Sequence, residues 1–145
     1  MVEKRKTKRI KKKRKDGNTM YICPFCQINP SSHSLKKIEK DECLYFYTCP
    51  SKATLYYDVK SILHHYKGIL SEIPEEKEWT WIFDGDGFTF EHAIQTTVAI
   101  EVAKLMATFK NLKKIIIINP TLFIDIPYKI VSPFLKINIE INYGK

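Results

Sequence analysis

Apolar residues follow two different patterns in the second half of the chain, and the order of these patterns predicts the strands and helices. Short continuous apolar runs are separated by stretches in which apolar residues recur every three or four positions. A continuous run indicates a strand buried on both faces, whereas the three-and-four spacing is typical of one helix face. The order strand, helix, strand, helix, strand predicts an α/β fold, a small, mostly parallel sheet with flanking helices.

The bounds of these elements follow from capping and turn residues. Thr54 is predicted to cap a helix that ends near Leu70. Thr89 is predicted to cap a second helix, whose apolar stripe extends to Phe109. The other predicted elements are strands at residues 79–83, 114–118 and 137–143 and a short helix at residues 124–135. Because apolar and polar residues alternate in the last strand, we expect it at an edge of the sheet.

Composition divides the chain into three parts. Residues 1–18 form a basic extended tail without apolar periodicity, residues 19–53 contain all four cysteines, and residues 54–145 form the α/β domain. In the middle part, residues 20–26 and 43–49 are predicted to be the strands of a cysteine-containing β-hairpin, because a cluster of turn-forming residues separates them. With 145 residues, the chain is large enough for the core of one ordinary domain.

Three motifs in the α/β part resemble the CRAL-TRIO lipid-binding domain family. The strand that ends in the Asp-Gly-Asp-Gly turn at residues 84–87 is similar to that family's strand with an Asp-x-x-Gly turn. The aliphatic strand followed by Asn119-Pro120, and the next segment with its Pro-Phe-Leu ending at Leu135, look like the second and third motifs. The resemblance implies a CRAL-TRIO-like fold, a lipid pocket between these two motifs and a mobile gate helix at residues 124–135. On this resemblance, the residues that would border the lipid are Ile116, Ile118, Phe123, Ile126, Ile130 and Phe134.

The cysteines indicate a candidate metal site. Cys23 and Cys26 form a Cys-x-x-Cys knuckle, which places two thiolates on one side of a tight turn, as zinc binding requires. Cys49 follows a predicted strand, as the second knuckle of a zinc ribbon would, and Cys43 or His33 could supply the missing ligand. A structural zinc ion held by the four cysteines is one interpretation. Reduced buried thiols and a redox-active Cys-x-x-Cys are the others.

Two histidines and two aspartates carry weaker signals. His64 and His65 are adjacent on a predicted helix and therefore point to different faces, so neither is given a role. Asp84 and Asp86 also resemble the first motif of haloacid-dehalogenase-type phosphatases, where they would be the nucleophile and the acid/base, with magnesium as cofactor. The later acidic pair of those enzymes is missing from the sequence, so a backbone turn is favoured and no enzyme is predicted.

The net charge of +8 is concentrated at the N-terminus. The first 15 residues hold ten lysines or arginines and one acid, whereas the rest of the chain has a net charge of −1. We expect this tail to bind an anionic surface, which could be an acidic protein groove, nucleic acid or a membrane, or to act as a nuclear targeting signal. The residues assigned to this contact are Lys4, Arg5, Lys6, Lys8, Arg9, Lys11, Lys12, Lys13, Arg14 and Lys15.

These observations lead to three hypotheses. The first is a non-enzymatic structural or adaptor protein that docks into a larger assembly of protein partners. The lysine-over-arginine bias of 21 to 3 suggests a large DNA virus, and hence a minor capsid protein of a virion. The second is a phospholipid-binding module, and the third is the magnesium phosphatase. No apolar run reaches the roughly 18 residues of a membrane-spanning helix, and no apolar stretch follows the basic N-terminus, so we expect an intracellular or virion protein.

Overall fold

A five-stranded sheet forms the centre of the computed structural model, which describes residues 10–13 and 19–142. Its strands, in spatial order, are Lys36–Lys40 (β3), Cys43–Thr48 (β4), Trp79–Asp84 (β5), Leu112–Ile118 (β6) and Asn138–Asn142 (β7). β3 and β4 are antiparallel, and the pairs from β4 to β7 are parallel. A separate antiparallel ribbon is formed by Ile10–Lys13 (β1) and Thr19–Ile22 (β2). The predicted α/β class with a mostly parallel sheet is confirmed, and β7 lies at an edge as expected.

Five helices are described, and all except the first lie in the connections between the parallel strands. They are Pro24–Ile28 (α1), Val59–Leu70 (α2), Phe90–Ala93 (α3), Thr96–Ala107 (α4) and Asp125–Val131 (α5), with short 3-10 turns at Pro50–Lys52, Leu122–Ile124 and Ser132–Phe134. Each connection advances by one strand in the same direction, so right-handed crossovers place α2, α4 and α5 on one face of the sheet. The sheet therefore has a helix-covered face and, among the described residues, a face without helices.

Two of the predicted helices differ in their bounds. α2 begins at Val59 rather than after Thr54, because the side chain of Asp58 caps it by accepting a hydrogen bond from Ser61 N at 3.3 Å. Thr89 does cap the next helix, in a capping box with His92. That helix then stops after one turn, and α4 restarts it at Thr96.

Side chains alternate between the two faces of the sheet. On β6, Ile115 and Ile117 are buried beneath the helices, whereas Ile116 and Ile118 are half-buried on the other face. That second face also carries the ion pair between Lys114 Nζ and Glu140 Oε2, 2.9 Å apart. The core lies on the helix-covered face, where its most completely buried large side chains are Phe46, Leu70, Trp79 and Met106.

The predicted cysteine hairpin is corrected by the strand pairing. β2 pairs with β1 and not with β4, which lies between β3 and β5 in the main sheet. The reason is that Leu44, Phe46 and Thr48 alternate on β4 and are all buried, so this strand needs a covered face that a free hairpin lacks. Of the predicted basic tail, Lys11–Lys13 lie in β1. The others, Lys4, Arg5, Lys6, Lys8, Arg9, Arg14 and Lys15, lie outside the described residues.

Candidate functional site: an apolar cavity beside a Cys and His cluster

An apolar cavity of about 150 Å³ lies between the sheet and its helices. The sheet contributes the floor, and α2, α4 and α5 contribute the walls. The floor residues are Thr48, Trp81, Phe83, Ile115, Ile117 and Ile139. The residues that α4 and α5 contribute are Val98, Ala99, Val102, Ala103, Pro127, Tyr128 and Val131. A concave, mainly apolar site with few polar groups is what a small hydrophobic ligand requires.

Three half-buried polar residues line one part of the cavity: Tyr56, His92 and Gln95. Nδ1 of His92 accepts a hydrogen bond from Thr89 N at 3.0 Å. Burial lowers the pKa of His92, while Glu91 opposes this shift, so the ring is neutral near pH 7. Its proton is then on Nε2, which can donate to a ligand.

The six residues predicted to border a lipid do not line this cavity. Ile116 and Ile118 point to the opposite sheet face, because successive side chains of a strand alternate. On α5, Ile126 is exposed, and the cavity is lined instead by Pro127, Tyr128 and Val131. The remaining three predicted residues also stand beside lining positions: Phe123, Ile130 and Phe134. The sequence therefore predicted the correct elements around the cavity. On each of these elements, however, the residues that line the cavity are neighbours of the predicted ones.

Next to the cavity, four side chains form a compact cluster of possible metal ligands. Cys23, Cys26, His33 and His65 each offer one ligand atom, and these atoms all lie within 4.8 Å of one another. His33 Nδ1 is 3.5 Å from Cys23 Sγ and 3.6 Å from Cys26 Sγ. His65 Nδ1 is 3.7 Å from Cys26 Sγ. Around a tetrahedral zinc ion, the distance between a sulfur and a nitrogen ligand is about 3.5 Å, so this spacing is close enough to hold a metal ion.

Local turns bring the first three of these side chains together. Cys23 precedes the short helix α1, and its carbonyl accepts the hydrogen bond from Gln27 N, so that Cys26 follows within the first turn. After α1, Asn29 Oδ1 accepts from Ser31 N at 3.0 Å, which turns the chain back toward the knuckle. His33 therefore lies beside both thiols.

α2 supplies the fourth side chain and a supporting hydrogen bond. His65 is one helical turn after Ser61, so both project toward the cluster. Ser61 Oγ is 2.9 Å from His33 Nε2. This contact favours a proton on Nε2 and leaves Nδ1, the nitrogen that faces the thiols, free to bind a metal ion.

The two histidines of the cluster are in the form that binds a metal ion, whereas the Cys26 thiol must lose its proton first. Burial lowers the pKa of His65 to about 4 and also lowers that of His33, so both rings are neutral near pH 7. Burial raises the pKa of the Cys26 thiol to about 11. A bound cation would displace thiol protons and take up the neutral imidazole nitrogens.

Two of the four predicted zinc ligands are corrected. Cys43 is exposed at the start of β4, and Cys49 Sγ is 3.5 Å from both Ser51 Oγ and the Asp86 carbonyl oxygen. Neither belongs to the cluster, because β4 is a strand of the main sheet. His33, named as the other candidate ligand, does belong to it. His65 was missed, although its place beside Ile62 and Ile69 on the apolar side of a helix was a usable signal.

The carboxylate of Asp84 is occupied by hydrogen bonds from other groups of the protein. Its carboxylate accepts hydrogen bonds from Tyr47 Oη, from Asn119 Nδ2 at 3.0 Å and from Asp86 N at 2.9 Å. Burial raises the pKa of Asp84, but these hydrogen bonds lower it by more, so its pKa lies below the ordinary value. Thr121, which follows the next strand, donates to the Phe88 carbonyl oxygen at 2.7 Å. These contacts support the turn interpretation of the motif.

A mostly parallel sheet with an apolar cavity under its helices defines an α/β domain suited to an apolar ligand. Residues 9–140 match the family model described as the CRAL/TRIO domain. This match covers most of the chain, so the chain belongs to the CRAL/TRIO family, and the resemblance found in the sequence is confirmed. Neither the curated proteins nor the solved structures give a match. Among the described residues, every helix is too short or too polar to cross a membrane.

Proposed function

We propose that this protein is a lipid-binding module that holds a hydrocarbon chain between its sheet and its helices. The observation that carries the proposal is the apolar cavity, in a chain that belongs to the CRAL/TRIO family. Burial of apolar surface contributes roughly 25 cal/mol for each Å². A lining of isoleucine, valine, alanine and aromatic side chains therefore favours an aliphatic ligand over a polar one.

The size of the cavity limits what it holds as it stands. An apolar cavity of about 150 Å³ accommodates a molecule the size of benzene, or a stretch of about six carbon atoms. A whole phospholipid is far larger. A single acyl chain fits best, with one stretch in the cavity and the rest passing outward.

The segment around α5 is the element that would move to admit such a chain. None of the seven residues of α5 is buried, and no side chain caps it. Elements with few buried apolar contacts open at a small cost in free energy. Large apolar side chains are exposed on the elements that border the cavity, with Leu122 80% and Phe90 55% exposed. Such side chains could receive a lipid as it leaves an apolar phase.

The half-buried polar residues suit the polar end of the ligand. His92 Nε2 is a donor in the neutral ring, and Gln95 offers both a donor and an acceptor. A carboxyl or hydroxyl group at the end of an acyl chain would pair with them. This arrangement favours a single-chain lipid with a small head group.

The other hypotheses receive less support. The contacts of Asp84 favour a turn over a magnesium phosphatase. The family match favours the lipid-binding module over the structural or adaptor protein of a virion. Protein partners, and the anionic partner of the basic tail, remain predictions from the sequence.

Native mass spectrometry of the purified protein tests the lipid proposal. We expect one lipid molecule per chain, either co-purified or taken up from added long-chain fatty acid. Protein that stays free of lipid after incubation with fatty acids and lysophospholipids would contradict the proposal.

The cluster supports a second part of the proposed function, a structural zinc ion. Two thiolates and two imidazoles complete a tetrahedron, which leaves no open position for a reaction. The ion would join α1 and its following loop to α2, and so fix the N-terminal segment on the main domain.

Metal content measured after purification tests the zinc site. We expect one zinc ion per chain, lost in Cys26→Ser and retained in Cys43→Ser, because Cys43 is exposed and remote from the cluster. Equal zinc content in the two variants would contradict the assignment.

A further inference from the structure

His33 belongs to both the Cys and His cluster and the cavity. Its Nδ1 faces Cys23 and Cys26, and His33 is also one of the residues that line the cavity, together with the adjacent Ser34. His33 is 6% exposed, so its ring has little room to move without disturbing one of the two sites.

α2 connects the same two sites. Its Ser61 and His65 face the cluster, whereas Ile62 and Tyr66 line the cavity. Because these residues alternate within two helical turns, a rotation or shift of α2 moves both groups together.

Hydrogen bonds continue this connection to the cavity floor. Tyr66 Oη donates to the Ser34 carbonyl oxygen at 3.0 Å and is 3.3 Å from Thr48 Oγ1. Trp81 Nε1 donates to Thr48 Oγ1 at 3.0 Å. Thr48 and Trp81 are floor residues, so an unbroken set of contacts leads from the cluster to the surface that a ligand would touch.

We infer that a metal ion at Cys23, Cys26, His33 and His65 holds this wall of the cavity in place, so that metal and lipid bind cooperatively. The inference rests on the proposed lipid-binding function and adds a regulation that the family match does not supply. The ion fixes the direction of His33 Nδ1, and with it the position of Ser34 and of α2.

A bound metal ion is expected to raise the affinity for lipid, because it orders the wall of the cavity before the lipid binds. Without the ion, weak thiol–imidazole contacts and the hydrogen bond between Ser61 and His33 hold the ligand side chains, and the wall samples more conformations than it does around a bound ion. A lipid must then order the wall as it binds, which lowers its apparent affinity. With the ion bound, that ordering is already complete, so the lipid binds more tightly. By linkage, bound lipid raises the affinity for the metal by the same factor.

The experiment measures both affinities on the full chain. A fluorescent polyene fatty acid is titrated into zinc-loaded protein and into protein stripped with a chelator, and circular dichroism records the fold of each. We expect fatty-acid binding to weaken at least about fivefold on stripping. Zinc affinity, measured by competition with a chromophoric chelator, should rise by the same factor at saturating fatty acid. Cys26→Ser should bind the fatty acid with the weaker affinity whether zinc is present or absent, and Cys43→Ser should behave like the unmodified protein.

Three results would overturn the inference, and they are distinguishable. Equal fatty-acid affinities in loaded and stripped protein would show that the two sites are independent, while the lipid proposal would stand. Loss of the folded spectrum on stripping would show that the metal holds the whole fold rather than one wall. Zinc-loaded protein that binds no fatty acid at all would refute the lipid proposal itself, and the coupling with it.

Discussion

His65 and Tyr66 are neighbours on α2, yet their side chains enter different sites. His65 Nδ1 lies 3.7 Å from Cys26 Sγ, whereas Tyr66 lines the apolar cavity and donates to the Ser34 carbonyl oxygen. Both residues are buried, and burial raises the pKa of Tyr66 to about 12, so its phenol stays protonated as a donor. One helix therefore forms a shared boundary between a candidate metal site and a candidate lipid site.

Ser61→Ala should weaken zinc binding without removing a ligand. Ser61 Oγ is the hydrogen-bond partner of His33 Nε2, and loss of such a partner lowers metal affinity by about 10- to 100-fold. Competition with a chromophoric chelator measures the change. Ser71→Ala is the matched control, because Ser71 is exposed at the end of the same helix and should leave zinc affinity unchanged. Equal affinities in the two variants would mean that Ser61 does not orient the His33 ring.

Gly68→Ala should destabilise the protein, although alanine is the better helix former. A Cβ atom at Gly68 would lie 2.7 Å from the ring of Tyr21, which packs β2 on α2. Overpacking costs about 1–3 kcal/mol, which outweighs the gain of roughly 0.5–1 kcal/mol from replacing glycine in a helix. Urea unfolding gives the free energy of unfolding, with Lys67→Ala at an exposed neighbouring position as control. A more stable Gly68→Ala variant would contradict the close packing of Tyr21 on α2.

Asp84→Asn should lower the free energy of unfolding by about 1–3 kcal/mol at pH 7, because the amide presents an NH₂ group to donors that now meet a carboxylate. The pKa of Asp84 is lowered in the folded state, so its contribution is present above the unfolded pKa and is lost as the pH falls through the folded value. The difference in the free energy of unfolding between Asp84→Asn and the unmodified protein should therefore become smaller below about pH 4. Thermal unfolding across this range measures it.

The exposed Asp86 provides the control for that prediction. Asp86→Asn should change stability little, since its backbone rather than its side chain makes the turn contacts. A difference between Asp84→Asn and the unmodified protein that stays constant from pH 7 to below the range where carboxylates titrate would show that the charge of Asp84 plays no part.

Much of the fold was predictable from local patterns. The clean alternation in β7 indicated an edge strand, as observed. The aliphatic run of β6 correctly indicated an inner strand, but it also indicated burial on both faces, whereas only the helix-covered face of β6 is buried. That second pattern also explains the main error. A run of four isoleucines at residues 115–118 contains no alternation, so it cannot show that Ile115 and Ile117, rather than Ile116 and Ile118, face the cavity. Only pairing with neighbouring strands determines the face.

The candidate metal site was predictable in part for a related reason. The Cys-x-x-Cys knuckle is a local signal, whereas the contact between Cys26 and His65 joins residues 39 positions apart. Such a contact depends on how α2 packs against the N-terminal segment. His65 lies next to the apolar stripe of α2, whereas His64 does not. In agreement with this pattern, the side chain of His65 is buried and that of His64 is exposed.

The most direct test of the central claim is a titration of a fluorescent polyene fatty acid into two variants of α4. Ala99 lines the cavity, and Ala107 is exposed on the same helix. Leucine at position 99 places three additional carbon atoms in a cavity that holds a stretch of about six. We predict that Ala99→Leu weakens fatty-acid binding at least about tenfold, while Ala107→Leu binds like the unmodified protein. Equal binding by both variants, or no binding by the unmodified protein, would contradict the account.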